Sequence, residues 1–331
     1  MRLFARLAGM MSAVFLVASL AVSRPADSGY HLLETYPFGA APGSTSEYFD
    51  YIIVDSAARR VYLSRGTAVE VMNADTGAEV GYIGQFKRQH GVAIAPEFGR
   101  GFISDGTAAQ VTIFDLKTLK TLGQAKADPD TDCIVYDPAS KRVFTMNGDS
   151  HSSTVIDAKT GMVIGTIDLI GSPEFAVADG KGMIYANLAN KDEVAAIDTR
   201  TMEVKSRWPT APSGGSTALA MDREHRRLFS AGRKPQVLVI MDADSGKVIQ
   251  SFPITAGTDA VAFDPEKKLI FVSTQEGKIH IFHDAPPIRG HLRLRRARRG
   301  YGRTSESTAG GGPGHLPRAG LRPPIGTTIR L

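Results

Sequence analysis

Every 41 to 44 residues this chain returns to the same strand end. A turn-favouring residue follows two apolar ones: Asn73 after Val71-Met72, Asp115 after Ile113-Phe114, Asp157 after Val155-Ile156, Asp198 after Ala196-Ile197 and Asp242 after Ile240-Met241. His283, after Ile281-Phe282, continues the series. A unit of this length cannot bury both of its faces alone, so the units must stack on one another.

Each period reads as four short strands. The first is small and aliphatic, as in Gly91-Val92-Ala93-Ile94-Ala95 or Ala260-Val261-Ala262-Phe263. A turn such as Asp137-Pro138-Ala139-Ser140 or Asp264-Pro265-Glu266-Lys267 follows. There Asp bonds its own backbone and Pro presets φ. Second strands are Val61-Tyr62-Leu63-Ser64, Val143-Phe144-Thr145-Met146 and Ile184-Tyr185-Ala186-Asn187. Third strands end at the recurring Asp, and turns such as Ala158-Lys159-Thr160-Gly161 lead into the fourth.

Four strands per period, fixed turn offsets and no 3.6-residue periodicity predict an all-β chain of propeller blades. A helical solenoid lacks the required period, and a β-sandwich would not repeat its turns at fixed offsets. Six blades are expected, over 48–86, 89–126, 131–169, 173–210, 216–253 and 258–284. The 42% hydrophobic content of the 331 residues is ample for such a core. The one cysteine, Cys133, lies in the apolar run Cys133-Ile134-Val135-Tyr136 and reads as a small buried hydrophobe, with a reactive thiol as the other reading.

Lys141-Arg142-Val143-Phe144-Thr145-Met146-Asn147-Gly148, followed by Thr154-Val155-Ile156-Asp157-Ala158-Lys159-Thr160-Gly161, resembles the YncE-like, YVTN-repeat β-propellers of bacteria. The resemblance spans 30–284. It implies a β-propeller of the seven-bladed type with four-stranded blades, secreted or periplasmic, some members being binding modules. About six blades are then present here, and the C-terminal blade is missing or replaced. An open ring of that kind leaves blade faces exposed, which implies marginal stability or oligomerisation.

Both ends of the chain differ from the repeat. Arg2 and Arg6 precede an apolar run from Leu7 to Val22 with small residues near its end, which reads as a signal peptide over 1–23. A periplasmic or secreted protein with no membrane span after cleavage is therefore expected. After Asp284, Pro286-Pro287 opens an Arg/Gly/Pro-rich tail over 285–331 that is expected to be disordered. From Ile288 onward it holds ten Arg, no Lys and one acid, Glu306. It therefore carries +9 of a net +5, leaving −4 for the rest. Two origins stay open for it, a natural basic tail or translation of a shifted reading frame. Because the basicity is confined to the tail, nucleic acid is disfavoured as a partner of the folded body.

The start of each innermost strand should open on the channel mouth. Asp50, His90, Asp132, Glu174, Thr217 and Asp259 occupy that register, spaced by 40, 42, 42, 43 and 42. Neighbouring loops add Arg65, Asn147, Asn187 and Arg233. Converging carboxylates repel one another and are relieved by a cation, by raised pKa values or by water. A Ca²⁺ ion is one expectation, with Asp132, Glu174 and Asp259 as metal candidates. A solvated polar ring that caps strand ends is the other. An imidazole at position 90 in such a ring should have a raised pKa.

No serine-hydrolase elbow, His-Glu-x-x-His, phosphate loop or haem-attachment motif is present. A non-enzymatic binding or scaffold propeller is the resulting expectation, with a protein or a small polar ligand as partner and no resident cofactor apart from Ca²⁺. The alternative is a metal-dependent hydrolase or lactonase using Glu174, Asn147, Asn187 and Asp259.

Overall fold

The computed structural model describes residues 34–36, 39–40, 48–284, 296–300 and 328–329. The signal-peptide reading of 1–23 lies outside the described residues, as does most of the tail. What is described is six four-stranded antiparallel sheets, each taken from one stretch of chain in sequence order. Blade 1 comprises Ile52–Asp55, Arg60–Ser64, Ala68–Asn73 and Glu79–Gly84. Blade 2 comprises Gln89–Ala95, Arg100–Asp105, Gln110–Asp115 and Thr121–Lys126. Blades 3 to 5 begin at Thr131–Asp137, Pro173–Ala178 and Ser216–Asp222, and blade 6 at Thr258–Asp264. First strands of neighbouring blades lie against each other, so they are the inner strands of the assembly.

The recurring Asp residues make the turns. Asp115 Oδ1 accepts the backbone N–H groups of Lys117 and Thr118, and Asp242 Oδ1 those of Asp244 and Ser245. Asn73, Asp157 and Asp198 do the same in their blades. A side chain that satisfies its own turn fixes the hairpin without tertiary help, which is why the period survives in the sequence.

Between blades the contact is apolar. Five buried clusters each sit astride one neighbouring pair, such as Tyr62, Val71, Val92 and Ile103 between blades 1 and 2. Phe229, Ile240, Val261 and Ile270 do so between blades 5 and 6. Among the described residues no such cluster joins blade 6 to blade 1. On that side Ile52 and Val54 are 60% and 54% exposed, whereas Val92, at the register of Ile52 one blade on, is 1% exposed.

Six blades are seen where the resemblance implies seven. The outer strand of blade 6 is Arg296–Gly300, paired to Lys278–Phe282, inside the segment the sequence reading treats as a disordered tail. Thr35–Tyr36 pairs with Thr328–Ile329. A single 3-10 turn, Pro96–Phe98, interrupts blade 2. Among the described residues no helix is long and apolar enough to cross a membrane.

Candidate functional site: an acidic cup

Inner strands start irregularly. In blades 2 to 6 the pairing of the first two strands skips register between Gln89 and Val92, Thr131 and Ile134, Pro173 and Ala176, Ser216 and Ala218, and Thr258 and Val261. His90, Asp132, Glu174, Thr217 and Asp259 all fall within these breaks. A bulge re-aims the side chain it carries, here at the same place in each of blades 2 to 6.

The first three carboxylate and imidazole positions meet. His90 Nδ1 lies 2.7 Å from Asp50 Oδ2 and 3.4 Å from Asp132 Oδ1. The imidazole is almost wholly buried, and its Nε2 has no partner. Asp132 Oδ1 is likewise buried without a hydrogen bond. Tyr48 stands edge-on to the imidazole at 6.3 Å, with Arg88 over its ring. Beneath them Tyr51 leans across from blade 1 onto Phe175 of blade 4, ring centroids 5.0 Å apart, and packs on the cluster holding Cys133. Tyr51 thus links the acidic group of Asp50, Asp132 and Glu174 to the apolar core of blades 3 and 4, and the acidic group is called the cup below.

Backbone clamps hold these residues. Ser64 Oγ donates to the His90 carbonyl, and Ser104 Oγ donates to that of Asp132 at 2.5 Å while accepting from Gly91 N–H at 2.9 Å. Ser64 ends its second strand, Ser104 is the last residue but one of its own, and each grips the inner strand of the next blade. Buried Asp105 accepts from Lys87 and Arg88 N–H, which fixes the approach to His90. Gly106 leaves room for the ring, since a Cβ there would lie 3.0 Å from Nε2.

Electrostatics follow from burial and from like charges. Burial pushes Asp132 up to about 6, the neighbouring Asp50 and Asp130 charges adding to it against His90 and Arg88. Burial likewise raises Glu174 to about 7, with Asp132 reinforcing and Arg233 opposing. Burial pulls the His90 imidazole down, but its hydrogen bond to Asp50 and the charges of Asp132 and Asp50 outweigh this, and its pKa is raised. Tyr51 is held well above its usual value by burial and by the surrounding negative charge. Cys133 is buried and its thiol pushed up to about 12, so it stays protonated and inert.

The other sequence-selected residues have partners of their own. Thr217 is buried, its hydroxyl donating to the Thr258 carbonyl at 3.4 Å. Asp259 is two-thirds exposed and pairs at 3.6 Å with Arg233, which also donates to Thr258. Arg65 is fully buried against Glu70 at 2.5 Å. Asn147 is fully buried, its amide shared among Thr131, Thr145, Ser152 and Thr154. Asn187 is buried too, bonded to the Ala218 carbonyl and Ser230. Arg65 and Asn147 therefore brace their own blades, and Asn187 ties blade 4 to blade 5.

Tyr48, Tyr51, Arg88, Asp130, Ser64 and Ser104 were not singled out in the sequence. A signal for the serines existed: Ser64 and Ser104 are 40 apart, the spacing of Asp50 and His90. A second cluster, Asp222, His225 and Asp284, forms where blades 5 and 6 turn. Its His225 Nδ1 sits 2.7 Å from Asp222, and Arg227 pairs with Asp284.

No family model matches the chain. Antigen Lp49 of Leptospira interrogans serogroup Icterohaemorrhagiae serovar copenhageni (strain Fiocruz L1-130) is 25% identical over 209 residues, which cover 60% of this chain and 43% of that antigen. The chain thus spans less than half the length of this relative. Among solved structures, Kuenenia stuttgartiensis hydrazine synthase superposes with a TM-score of 0.64 at 14% identity, covering 74% of this chain and 80% of that one. A chain of the mitotic checkpoint complex gives 0.67 at 15%, with 87% of each covered. At such identities the likeness is one of fold, and the fold is a β-propeller.

Proposed function

We propose that this is an exported, non-enzymatic binding propeller of the YncE-like kind that holds a small cation in the cup formed by Asp50, His90, Asp132 and Glu174. One observation carries the reading: carboxylates from blades 1 and 3 converge on a buried imidazole of blade 2, and Glu174 of blade 4 feels the charge of both. Two of them have pKa values pushed up into the neutral range. A group that strains to shed its charge gains most from a bound cation. Export is supported by the signal-like start of the sequence and by the relative named as an antigen. The non-enzymatic reading draws support from Asn147 and Asn187, whose amides are used up inside the blades and are not free to orient a substrate.

The test is equilibrium binding of a cation panel, comprising divalent metal ions, spermidine and choline, to chelator-treated protein. The expected result is one cation per chain, weakened at least about tenfold by Glu174→Gln. Failure of every cation to bind at about millimolar concentration, or turnover of a lactone panel at enzymatic rates, would overturn the reading.

A further inference from the structure

We infer that Asp50, His90 and Asp132 form a site for one divalent transition ion of the zinc type. This rests on the cup reading above and names the cation. The three donor atoms lie within 4.8 Å of one another. The two spacings from His90 Nδ1 are 2.7 and 3.4 Å. Two donors held about 2.1 Å from one tetrahedral ion stand roughly 3.4 Å apart, and roughly 3 Å apart around an octahedral one. One spacing equals the tetrahedral value, and the other is a few tenths of an ångström short of the octahedral one.

Hydrogen bonding cannot satisfy it. A single Nδ1–H can point to one oxygen, and the 2.7 Å contact gives it to Asp50. Asp132 Oδ1, also facing Nδ1, is buried and accepts nothing. An ion in place of that proton would engage all three atoms at once. Buried polar atoms left without partners in an otherwise well-bonded region call for such an explanation.

The donor set selects the ion. Ca²⁺ takes six to eight oxygens, and only oxygens suit it. Here a buried imidazole nitrogen is the central donor, flanked by two carboxylates, which suits zinc and its neighbours. Asp259, one of the carboxylates expected to join a Ca²⁺ site, is exposed and paired with Arg233. The supporting shell is in place: the Ser64 and Ser104 clamps fix the backbone of both His90 and Asp132. The Asp222–His225–Asp284 cluster contrasts with this one, because Arg227 already supplies a cation there.

The experiment is calorimetric titration of chelator-stripped full-length protein with Zn²⁺, Mn²⁺ and Ca²⁺, with circular dichroism of every variant. The expected result is one Zn²⁺ per chain at micromolar affinity or better, and Ca²⁺ at least about 100-fold weaker. His90→Gln and Asp132→Asn should each lower Zn²⁺ affinity at least about 30-fold while the β spectrum is kept. If His90→Gln does not fold, Asp132→Asn, which keeps the volume, carries the test. Three results of the metal titrations would overturn the site. They are no Zn²⁺ binding by folded protein, Zn²⁺ binding unchanged in the folded variants, and Ca²⁺ preferred over Zn²⁺. Retention of spermidine or choline at one per chain without any metal would overturn the metal site and leave the cup reading standing.

Discussion

Ser104 and Asp132 sit in different blades, yet the serine hydroxyl donates to the aspartate carbonyl at 2.5 Å. The same hydroxyl accepts the Gly91 N–H at 2.9 Å, so one oxygen ties the inner strands of blades 2 and 3 together beside the cup. Removing it orphans a buried N–H and a carbonyl at once. Ser104→Ala should cost about 1–3 kcal/mol of stability and weaken cation binding, although Ser104 touches no ligand. Urea unfolding and titration of the variant check this. A variant as stable as the parent, with unchanged affinity, would show the clamp to be dispensable.

A pH-dependent cost is built into Glu174. Its folded-state pKa of about 7 lies above the ordinary 4.5, because burial and the Asp132 charge disfavour its ionised form. The folded protein therefore holds this proton more tightly than the unfolded chain does. The destabilisation is absent below about pH 4.5, grows as pH rises and is complete above about 7. In metal-free protein Glu174→Gln should be neutral at pH 4 and more stable than the parent by about 1–3 kcal/mol at pH 8. Thermal unfolding at both pH values tests the sign, and an equal effect at both would refute it.

Gly246 is held at φ +71° in the turn after Asp242, and a Cβ there would lie 1.9 Å from the Trp208 ring. That ring stacks on Tyr185 at 6.0 Å, so it has little room to withdraw. Gly246→Ala should cost about 2–4 kcal/mol, from left-handed backbone strain plus the collision. Gly84→Ala, at a glycine with open space around its Cβ position, should stay within about 0.5 kcal/mol. Comparable losses in the two variants would mean that Trp208 yields.

The blades were legible because their turns are made by local chemistry. Asp115, Asp157 and Asp242 bond backbone groups two or three residues away, so the evidence for each hairpin sits inside a few residues. Register alone also brought Asp50, His90 and Asp132 together, since equivalent offsets in stacked units fall at equivalent places. It could not tell a side chain facing the cup from one facing the next blade. Asn147 looked like a loop residue before Gly148 and is a buried bonding hub. Arg65 has the register of a loop residue beside the channel mouth, yet Glu70, five residues on, neutralises it in the interior. Tyr51 was invisible for another reason. Its partner Phe175 is three blades away in sequence, and nothing near residue 51 announces a contact across the axis.

The unpacked side of blade 1 gives a prediction about assembly. Ile52 and Val92 hold equivalent places in blades 1 and 2, yet Ile52 is 60% exposed and Val92 is 1% exposed. Placing a hydroxyl at position 92 buries it without a partner, so Val92→Thr should cost about 1–3 kcal/mol. Ile52→Thr meets solvent and should change stability by no more than about 0.5 kcal/mol in dilute protein. Chemical unfolding of the two variants at several protein concentrations measures the difference. If Ile52→Thr costs as much as Val92→Thr at every concentration, blade 6 packs against blade 1 within one chain in solution. If its cost appears only as concentration rises, a second copy covers Ile52 and Val54, and the exposed aliphatic face is an interface between chains.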